Sequence, residues 1–147
     1  MKTLEIRRHS IRKSGGGSQL SQEGVAYARQ LGASMGPFAC VVTSVVPRAR
    51  ETAIAMGFAV DYELVTLATD DELHREMECM RWWEAEYPFA AGAQLLAGRG
   101  PTWRYAHSML ALWRDIMTGL ADGEAALVIG HSGELELTLL ACFPDLD

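Results

Sequence analysis

Apolar and polar residues follow two different periods along this chain. Leu4 and Ile6 alternate with polar neighbours, which is typical of a short strand. The run from Ala125 to Ile129 is apolar at every position and ends at Gly130, as in a central strand of a parallel sheet that is buried on both faces. Between these two strands, the pattern predicts further strands over residues 39–43 and 60–67.

Apolar residues spaced three and four apart predict helices between the strands. Ser21 can cap the first helix, and Pro47 is placed to begin the second, because the first turn of a helix does not need the missing N–H. The later helices are predicted over residues 72–83, 102–120 and 134–142. We expect a loop with little regular structure over residues 88–101 and an acidic tail after residue 142.

Strands that alternate with helices specify an α/β fold. We therefore predict a three-layer α/β/α sandwich with a mainly parallel central sheet. The 147 residues are enough to bury a substantial core, so we expect a single domain over residues 1–147.

The composition argues against several classes of protein. A net charge of −6 and a pI of about 5.2 disfavour a nucleic-acid partner. No stretch is apolar for long enough to span a bilayer, and the basic N-terminus lacks the apolar core of a signal peptide. Three cysteines are widely spaced without a Cys-x-x-Cys pair: Cys40, Cys79 and Cys142. We interpret them as free, buried thiols in a reducing cytoplasm.

Arginines surround a histidine where the first strand ends. His9 follows Arg7 and Arg8 directly, and Arg12 lies three residues later. Because arginine stays protonated, its charge disfavours imidazolium at His9 and leaves a neutral ring that can act as a nucleophile. The planar guanidinium groups also match the oxygens of a phosphoryl group. The alternative is a basic strand end that faces solvent, with His9 as an ordinary surface residue.

A second histidine, His131, follows the apolar strand. Ligands of open α/β sheets bind beyond the carboxyl ends of the strands, so His9 and His131 meet there if their strands are parallel neighbours. Arg48 lies in the first turn of a predicted helix, where a cation is unfavourable alone and an anionic ligand compensates for it. The alternative is that Arg48 or Arg50 pairs with a surface acid, which we expect for Arg50.

Two further features carry less chemical information. The glycine-rich stretch Gly15–Gly17 lacks the Gly-Lys-Ser/Thr ending of a phosphate-binding loop, so we interpret it as a flexible surface loop at the mouth of the site. His74 and His107 lie among helix residues, where we expect structural or surface groups. The histidines do not have the spacing of metal ligands, and we predict no metal site.

Four short motifs follow one another along the chain: Arg8-His9-Ser10, Leu20-Ser21-Gln22-Glu23-Gly24, Arg48-Ala49-Arg50-Glu51-Thr52-Ala53 and Gly130-His131-Ser132-Gly133. Together they resemble the histidine phosphatase superfamily, which has the phosphoglycerate mutase-like fold. That family carries Arg-His-Gly, Leu-Ser-x-x-Gly, Ser-Ser-Pro-x-x-Arg-Ala-x-x-Thr-Ala and a late His-Gly turn in this order. In this chain the third motif begins with Thr43-Ser44-Val45-Val46-Pro47, directly before Arg48. Ser10 stands in place of the usual glycine, and Val45 stands in place of a common proline.

The resemblance implies a role for each matching residue. His9 would become phosphorylated during turnover. Five residues would hold the phosphoryl oxygens: Arg8, Arg12, Arg48, His131 and Ser132.

The proton donor for the leaving group is open between three glutamates. Members of the family place a glutamate after the middle strands, and the spacing to Trp82-Trp83-Glu84 favours Glu76. Glu72 is the second candidate. Glu134 is the third, because other branches of the family place the acid just after the second histidine.

The resemblance implies a phosphomonoester hydrolase that works through phosphohistidine, without metal or other cofactor, on a small-molecule or phosphoprotein substrate. Phosphoryl transfer needs mainly positioning and charge stabilisation, which arginines and a second histidine supply. A phosphoglycerate mutase-type transferase is one alternative, although the short segment before Pro101 leaves little material for a cap and favours a phosphatase. A catalytically silent phosphate-binding module is the other alternative.

Overall fold

Four strands and six α-helices make up the described part of the chain. The computed structural model describes residues 1–143, so the acidic tail predicted after residue 142 lies almost wholly outside the described residues. The strands are β1 (Thr3–Arg8), β2 (Cys40–Ser44), β3 (Tyr62–Leu64) and β4 (Ala125–Gly130). The helices are α1 (Gln22–Gly32), α2 (Pro47–Met56), α3 (Asp71–Met80), α4 (Pro88–Ala97), α5 (Pro101–Gly119) and α6 (Glu134–Cys142). Two short 3₁₀ turns cover Val65–Leu67 and Trp82–Glu84.

The four strands pair in parallel, in the order β1-β4-β2-β3. β4 lies inside the sheet, because Val128 pairs with Ile6 of β1 on one side and with Val42 of β2 on the other. Residues 126–129 have no exposed surface, which explains why this strand is apolar at every position. The predicted α/β fold with a parallel sheet is confirmed.

Contacts between Cα atoms divide the chain into two units. The first unit comprises residues 1–68 and 115–131 and contains the sheet with α1 and α2. The second comprises residues 69–114 and the described residues from 132 onward, with α3, α4 and α6. A single domain over residues 1–147 stays a prediction.

The core of the first unit lies between the sheet and its two helices. Side chains from α1, α2 and two central strands form one cluster: Ala28, Val41, Ala49, Ala53, Met56, Leu127 and Ile129. α1 and α2 approach closely at Gly32, where an added Cβ would lie 2.0 Å from the carbonyl oxygen of Met56. This close approach depends on the missing side chain of Gly32.

The second unit has a core of its own. It is built from α3, α4, α6 and the second 3₁₀ turn: Leu73, Met77, Trp82, Leu95, Leu137 and Leu140. The predicted helix over residues 72–83 ends earlier, because Arg81 has a φ of 41° and the chain leaves the helix there. Trp82 then turns into the core, where it is 4% exposed.

The prediction of a loop over residues 88–101 is wrong, because α4 occupies Pro88–Ala97. Pro88 is the first residue of this helix, where a proline costs no hydrogen bond. Gly92 allows Leu140 to pack against the helix, since an added Cβ would lie 2.8 Å from Leu140 Cδ1. Proline and glycine, which are typical of loops, are therefore both compatible with this packed helix.

The cysteines are free, as predicted, but they are not buried. Cys79 and Cys142 are exposed, and Cys40 is half-buried. Cys79 follows Leu73 and Met77 on α3 at a spacing that turns it away from the core. Within residues 1–143, no helix is both long enough and apolar enough to cross a membrane.

Candidate active site

Two histidines lie side by side where β1 and β4 end. His9 directly follows β1, and His131 directly follows β4, with Arg8 opposite Gly130 in the parallel register. The backbone N–H of His9 donates to the carbonyl oxygen of Gly130 over 3.0 Å. The ring centroids of the two histidines lie 5.3 Å apart, and the rings are inclined by 59°. The predicted meeting of His9 and His131 is confirmed.

A hydrogen bond at His9 determines which ring nitrogen carries the proton. His9 Nδ1 lies 2.6 Å from the carbonyl oxygen of Ser10. A carbonyl oxygen can only accept, so Nδ1–H donates and Nε2 of the neutral ring keeps its lone pair. Nε2 is therefore the atom of His9 that can act as a nucleophile or accept a proton.

Arg48 determines the opposite tautomer at His131. Arg48 Nη2 lies 3.2 Å from His131 Nδ1. A guanidinium group can only donate, so Nδ1 accepts and Nε2 carries the proton of the neutral ring. His131 Nε2 is buried and has no hydrogen-bond partner within residues 1–143. One imidazole thus offers a lone pair, and its neighbour offers an N–H to an anionic oxygen.

Burial keeps both imidazoles neutral. It is the largest cause that lowers the pKa of His9 to about 4 and the pKa of His131 to about 4, from 6.5. The Ser10 carbonyl opposes this change in the pKa of His9, while nearby arginines lower that pKa further: Arg48, Arg8 and Arg12. The low pKa agrees with the predicted neutral state of His9, and burial is its largest single cause.

The first turn of α2 carries Arg48, as predicted. Pro47 is the first residue of this helix, and no acidic residue lies in its first turn. Val46 precedes the helix as its N-cap residue, and its apolar side chain makes no capping hydrogen bond. The helix N-terminus and the guanidinium group together favour an anion. Arg50 instead pairs with Glu63 over 3.3 Å, which confirms the predicted surface ion pair.

Arg8 and Arg12 are exposed, at either end of the segment that follows β1. Arg12 forms an isolated antiparallel bridge with Leu20. The residues between Arg12 and Leu20 therefore form a loop whose two ends are held together. Gly15, Gly16 and Gly17 all have positive φ values, which glycine adopts without strain. These glycines are exposed, as expected for a surface loop. The flexibility of the loop stays a prediction.

Glu76 lies in the second unit and anchors the start of α5. Its Oε2 accepts hydrogen bonds from Thr102 N over 2.7 Å and from Thr102 Oγ1 over 2.6 Å. A carboxylate at this place also complements the positive end of the helix. Glu76 thus has a structural partner, and its role as a proton donor stays a prediction.

The other candidates of the second unit differ in burial. Glu72 is exposed and pairs with Arg104 over 2.9 Å. Glu134 begins α6, is 3% exposed and accepts a hydrogen bond from Thr69 Oγ1. Ser132 is exposed in the turn before α6. The roles of these residues in proton transfer and phosphate binding stay predictions.

Thr52, for which no role was predicted, makes a hydrogen bond to the backbone of Ser10. Thr52 Oγ1 accepts from Ser10 N over 2.9 Å and donates to the carbonyl oxygen of Arg48 over 2.7 Å. Its signal in the sequence is its spacing, since it follows Arg48 by four residues and lies one turn further along α2.

His74 and His107 lie on helices and are not part of the histidine pair at the end of the sheet. His74 and His107 are exposed on α3 and α5. Among residues 1–143, no group of three or more His, Cys, Asp or Glu side chains is arranged to hold a metal ion.

Comparison with known protein families gives one match. The sequence model of the histidine phosphatase superfamily, branch 1, matches residues 4–140. No curated protein matches the sequence.

Several solved structures have a similar fold. YhfR from Bacillus stearothermophilus is 22% identical with a TM-score of 0.67, and the alignment covers 100% of this chain and 82% of YhfR. The phosphoserine phosphatase of Entamoeba histolytica, solved with 3-phosphoglyceric acid, is 13% identical with a TM-score of 0.62, over 98% of this chain and 81% of that one. A mycobacterial glucosyl-3-phosphoglycerate phosphatase, solved with VO3, is 16% identical with a TM-score of 0.62, over 96% and 81%. At these identities the comparison shows a shared fold.

Proposed function

Because the chain belongs to the histidine phosphatase superfamily, branch 1, we propose that it hydrolyses phosphomonoesters through a phosphohistidine intermediate on His9. One observation carries this proposal: a neutral His9 with an available Nε2 lone pair lies beside a neutral His131 whose Nε2–H can donate. The names of two structural neighbours support it, since both proteins are phosphatases.

In the first step, His9 Nε2 attacks the phosphorus atom and the bond from phosphorus to the ester oxygen breaks. The departing oxygen takes a proton from a carboxylic acid, so that an alcohol leaves. His131 Nε2–H donates to a phosphoryl oxygen, and the guanidinium groups balance the charge of the transferred group: Arg8, Arg12 and Arg48. Ser132 completes the proposed phosphate-binding set.

In the second step, water attacks the phosphorus atom of phosphohistidine and the bond to His9 Nε2 breaks. The carboxylate that lost its proton in the first step takes a proton from the attacking water. Inorganic phosphate leaves, and His9 returns to its neutral form. The hydrogen bond from His9 Nδ1–H to the Ser10 carbonyl can persist through both steps, since neither step uses Nδ1.

We assign the proton donor to Glu76, on the resemblance of its sequence context to that of the family. Glu72 and Glu134 are the alternatives. The chemistry uses neither metal nor organic cofactor, and small-molecule or phosphoprotein phosphomonoesters are the substrates. A mutase would differ only in the acceptor of the phosphoryl group, which would be a substrate hydroxyl in place of water.

The test is a panel of phosphomonoesters given to the wild type and to His9→Ala. The wild type should release inorganic phosphate, and His9→Ala should lower kcat by at least about 10³-fold because the nucleophile is lost. His74→Ala is the matched control, since it removes an exposed histidine from α3 and should leave the rate unchanged. Undiminished hydrolysis by a folded His9→Ala variant would rule out the assignment.

Labelled substrate distinguishes the alternatives. Reversible binding of labelled substrate, with no label on His9 and no release of phosphate, would indicate a phosphate-binding module. Transfer of the label to a second substrate hydroxyl, in preference to water, would indicate a mutase. Steady release of labelled inorganic phosphate is the result expected for the phosphatase.

A further inference from the structure

The hydroxyl group of Thr52 is fully buried and has two hydrogen-bond partners. It accepts from the backbone N–H of Ser10 over 2.9 Å and donates to the carbonyl oxygen of Arg48 over 2.7 Å. The hydroxyl proton is used in the bond to Arg48, so a lone pair of the same oxygen accepts from Ser10 N. A valine in place of Thr52 would offer Ser10 N no acceptor.

Each partner of Thr52 holds one of the two imidazoles. The Ser10 carbonyl accepts from His9 Nδ1–H over 2.6 Å. The Arg48 guanidinium donates to His131 Nδ1 over 3.2 Å. One hydroxyl group therefore connects the backbone of Ser10, which orients His9, with the backbone of Arg48, whose side chain orients His131.

A second hydroxyl holds the Ser10 segment from the side of α1. Ser10 Oγ donates to the carbonyl oxygen of Gly24 over 2.8 Å. Gly24 permits this close approach, since an added Cβ would lie 2.1 Å from the carbonyl oxygen of Ile11. Ser10, which replaces the usual glycine of the motif, thus fixes its own backbone, directly after His9, to α1.

A purely local role for the Thr52 hydroxyl is the competing explanation. Threonine in a helix often donates to the carbonyl oxygen four residues earlier, and Thr138 does so with Glu134 over 2.8 Å. Thr138 has no exposed surface either. The bond that a local role does not explain is the one from Ser10 N, which joins residues 42 positions apart.

We propose that Thr52 is a positioning residue, which fixes the backbone of Ser10 through its N–H. With that backbone fixed, His9 keeps its Nδ1–H on the Ser10 carbonyl and presents Nε2 to phosphorus. Ser10 Oγ is the second anchor of the same peptide. This inference rests on the proposed function of His9 as the nucleophile.

Loss of the Thr52 hydroxyl should lower the rate more than it weakens binding. Without an acceptor, the half-buried Ser10 N–H must find another partner, and the peptide between His9 and Ser10 rotates to do so. The Ser10 carbonyl belongs to the next peptide, which is joined to the first at the Ser10 Cα. A rotation of the His9–Ser10 peptide shifts that Cα, so the carbonyl no longer holds His9 in one orientation. A nucleophile that is misplaced by about 1 Å can cost about 100-fold in rate. The guanidinium groups that bind the substrate phosphate keep their charge.

The experiment compares Thr52→Val with Thr52→Ser and Thr43→Val. Valine keeps the shape of threonine without the hydroxyl, and serine keeps the hydroxyl without the methyl group. Thr43 is the matched control, because it is equally buried and its hydroxyl has no hydrogen-bond partner within residues 1–143. Each variant is first checked for folding by circular dichroism and urea unfolding.

Thr52→Val should lower kcat by about 10- to 100-fold, with KM within about threefold of the wild type. Thr52→Ser and Thr43→Val should stay within about threefold of the wild-type kcat. Nitrogen-15 NMR of the His9 ring should show protonated Nδ1 in the wild type and in Thr52→Ser, and a mixture of tautomers in Thr52→Val. Ser10→Ala, which removes the second anchor, should shift both measurements in the same direction by a smaller factor.

Wild-type kcat and an unmixed His9 tautomer in Thr52→Val would overturn the proposal. A loss of kcat in Thr52→Val that Thr52→Ser fails to restore would also overturn it, because packing and not the hydroxyl would then be responsible. If the wild type hydrolyses no phosphomonoester, the proposed function fails. The tautomer measurement then decides the positioning role by itself.

Discussion

Three glutamates, which are the candidates for the proton donor of the proposed reaction, differ in the partners that hold their carboxyl groups. Glu76 Oε2 accepts two hydrogen bonds from Thr102. Glu72 is exposed and paired with Arg104, and Glu134 is buried. A donor must both reach the leaving oxygen and carry a proton at working pH.

Glu76→Gln should lower kcat for alkyl phosphates by about 10²- to 10⁴-fold, because their leaving groups need a proton. The rate for p-nitrophenyl phosphate should fall far less, since its leaving group is stable as an anion. Glutamine keeps an oxygen that can accept from Thr102, so the start of α5 is preserved. The measurement is the ratio of the two rates over a range of pH.

Glu72→Gln and Glu134→Gln are the matched variants, each with the same change of one atom. Both should leave the ratio of alkyl to aryl phosphate hydrolysis close to that of the wild type. A selective loss of alkyl phosphate hydrolysis in either variant, with Glu76→Gln unaffected, would transfer the role of donor to that residue.

The positions of the two histidines and the effect of the arginines on the pKa of His9 could be predicted from the sequence, whereas the largest cause of the low pKa could not. Each histidine follows a recognisable strand, and parallel strands bring their carboxyl ends to one edge of the sheet. Burial, the largest cause of the low pKa of His9 and His131, depends on packing by distant residues. The hydrogen bond from Ser10 to Thr52 joins separate motifs, so no local spacing predicts it.

At the scale of elements, the sequence predicted five of the six α-helices within residues 1–143 and missed α4. β4 and α5 are long and strongly patterned, and their bounds in the structure lie within one residue of those predicted. α4 was missed because Pro88 and Gly92 are typical of loops, and its core contacts come from side chains elsewhere in the chain. Local propensity yields to such tertiary packing.

Gly32→Ala tests the close approach of α1 and α2. The added Cβ would lie 2.0 Å from the backbone oxygen of Met56, which cannot move without shifting α2. We expect the free energy of unfolding to fall by about 1–3 kcal/mol, as for overpacking in a tight core. Urea unfolding measures the change.

Gly119→Ala is the control for the glycine substitution, since Gly119 lies in α5 and an added Cβ there meets no atom of the described residues within 4 Å. Alanine should stabilise this helix by up to about 1 kcal/mol, because glycine loses more backbone freedom on folding. Equal effects of the two substitutions would show that the approach of α1 to α2 is looser than the structure indicates.

At the scale of the whole molecule, the site places cationic groups in an acidic protein. The chain has a net charge of −6, yet Arg48 and Arg8 both act on the pKa of the two histidines. Composition alone therefore predicts the overall charge and misses the local one. Positive charge and neutral imidazole rings lie together at one edge of the sheet. The residues of the proposed reaction should therefore also affect how folding stability depends on pH.

Folding stability should fall as the pH drops from 6.5 towards 4. His9 and His131 have a pKa of about 4 in the folded protein and 6.5 as the ordinary value, so the unfolded chain binds more protons in this window. Each histidine then contributes a loss of up to about 1.4 kcal/mol per pH unit. The contribution is fully present above pH 6.5 and is lost below the folded pKa. Urea unfolding at a series of pH values measures the slope.

Substitution of single histidines separates their contribution to this slope from that of the other titratable groups. His9→Gln and His131→Gln should each flatten the dependence on pH, because one fewer proton is taken up on unfolding. His74→Gln and His107→Gln remove exposed histidines and should keep the wild-type slope. The slope, and not the absolute stability, is the relevant quantity, since both site variants also lose a hydrogen bond. If His9→Gln and His131→Gln kept the wild-type slope while the protein remained folded, the two imidazoles would titrate at the same pH in the folded and the unfolded protein, and burial would not be what keeps them neutral.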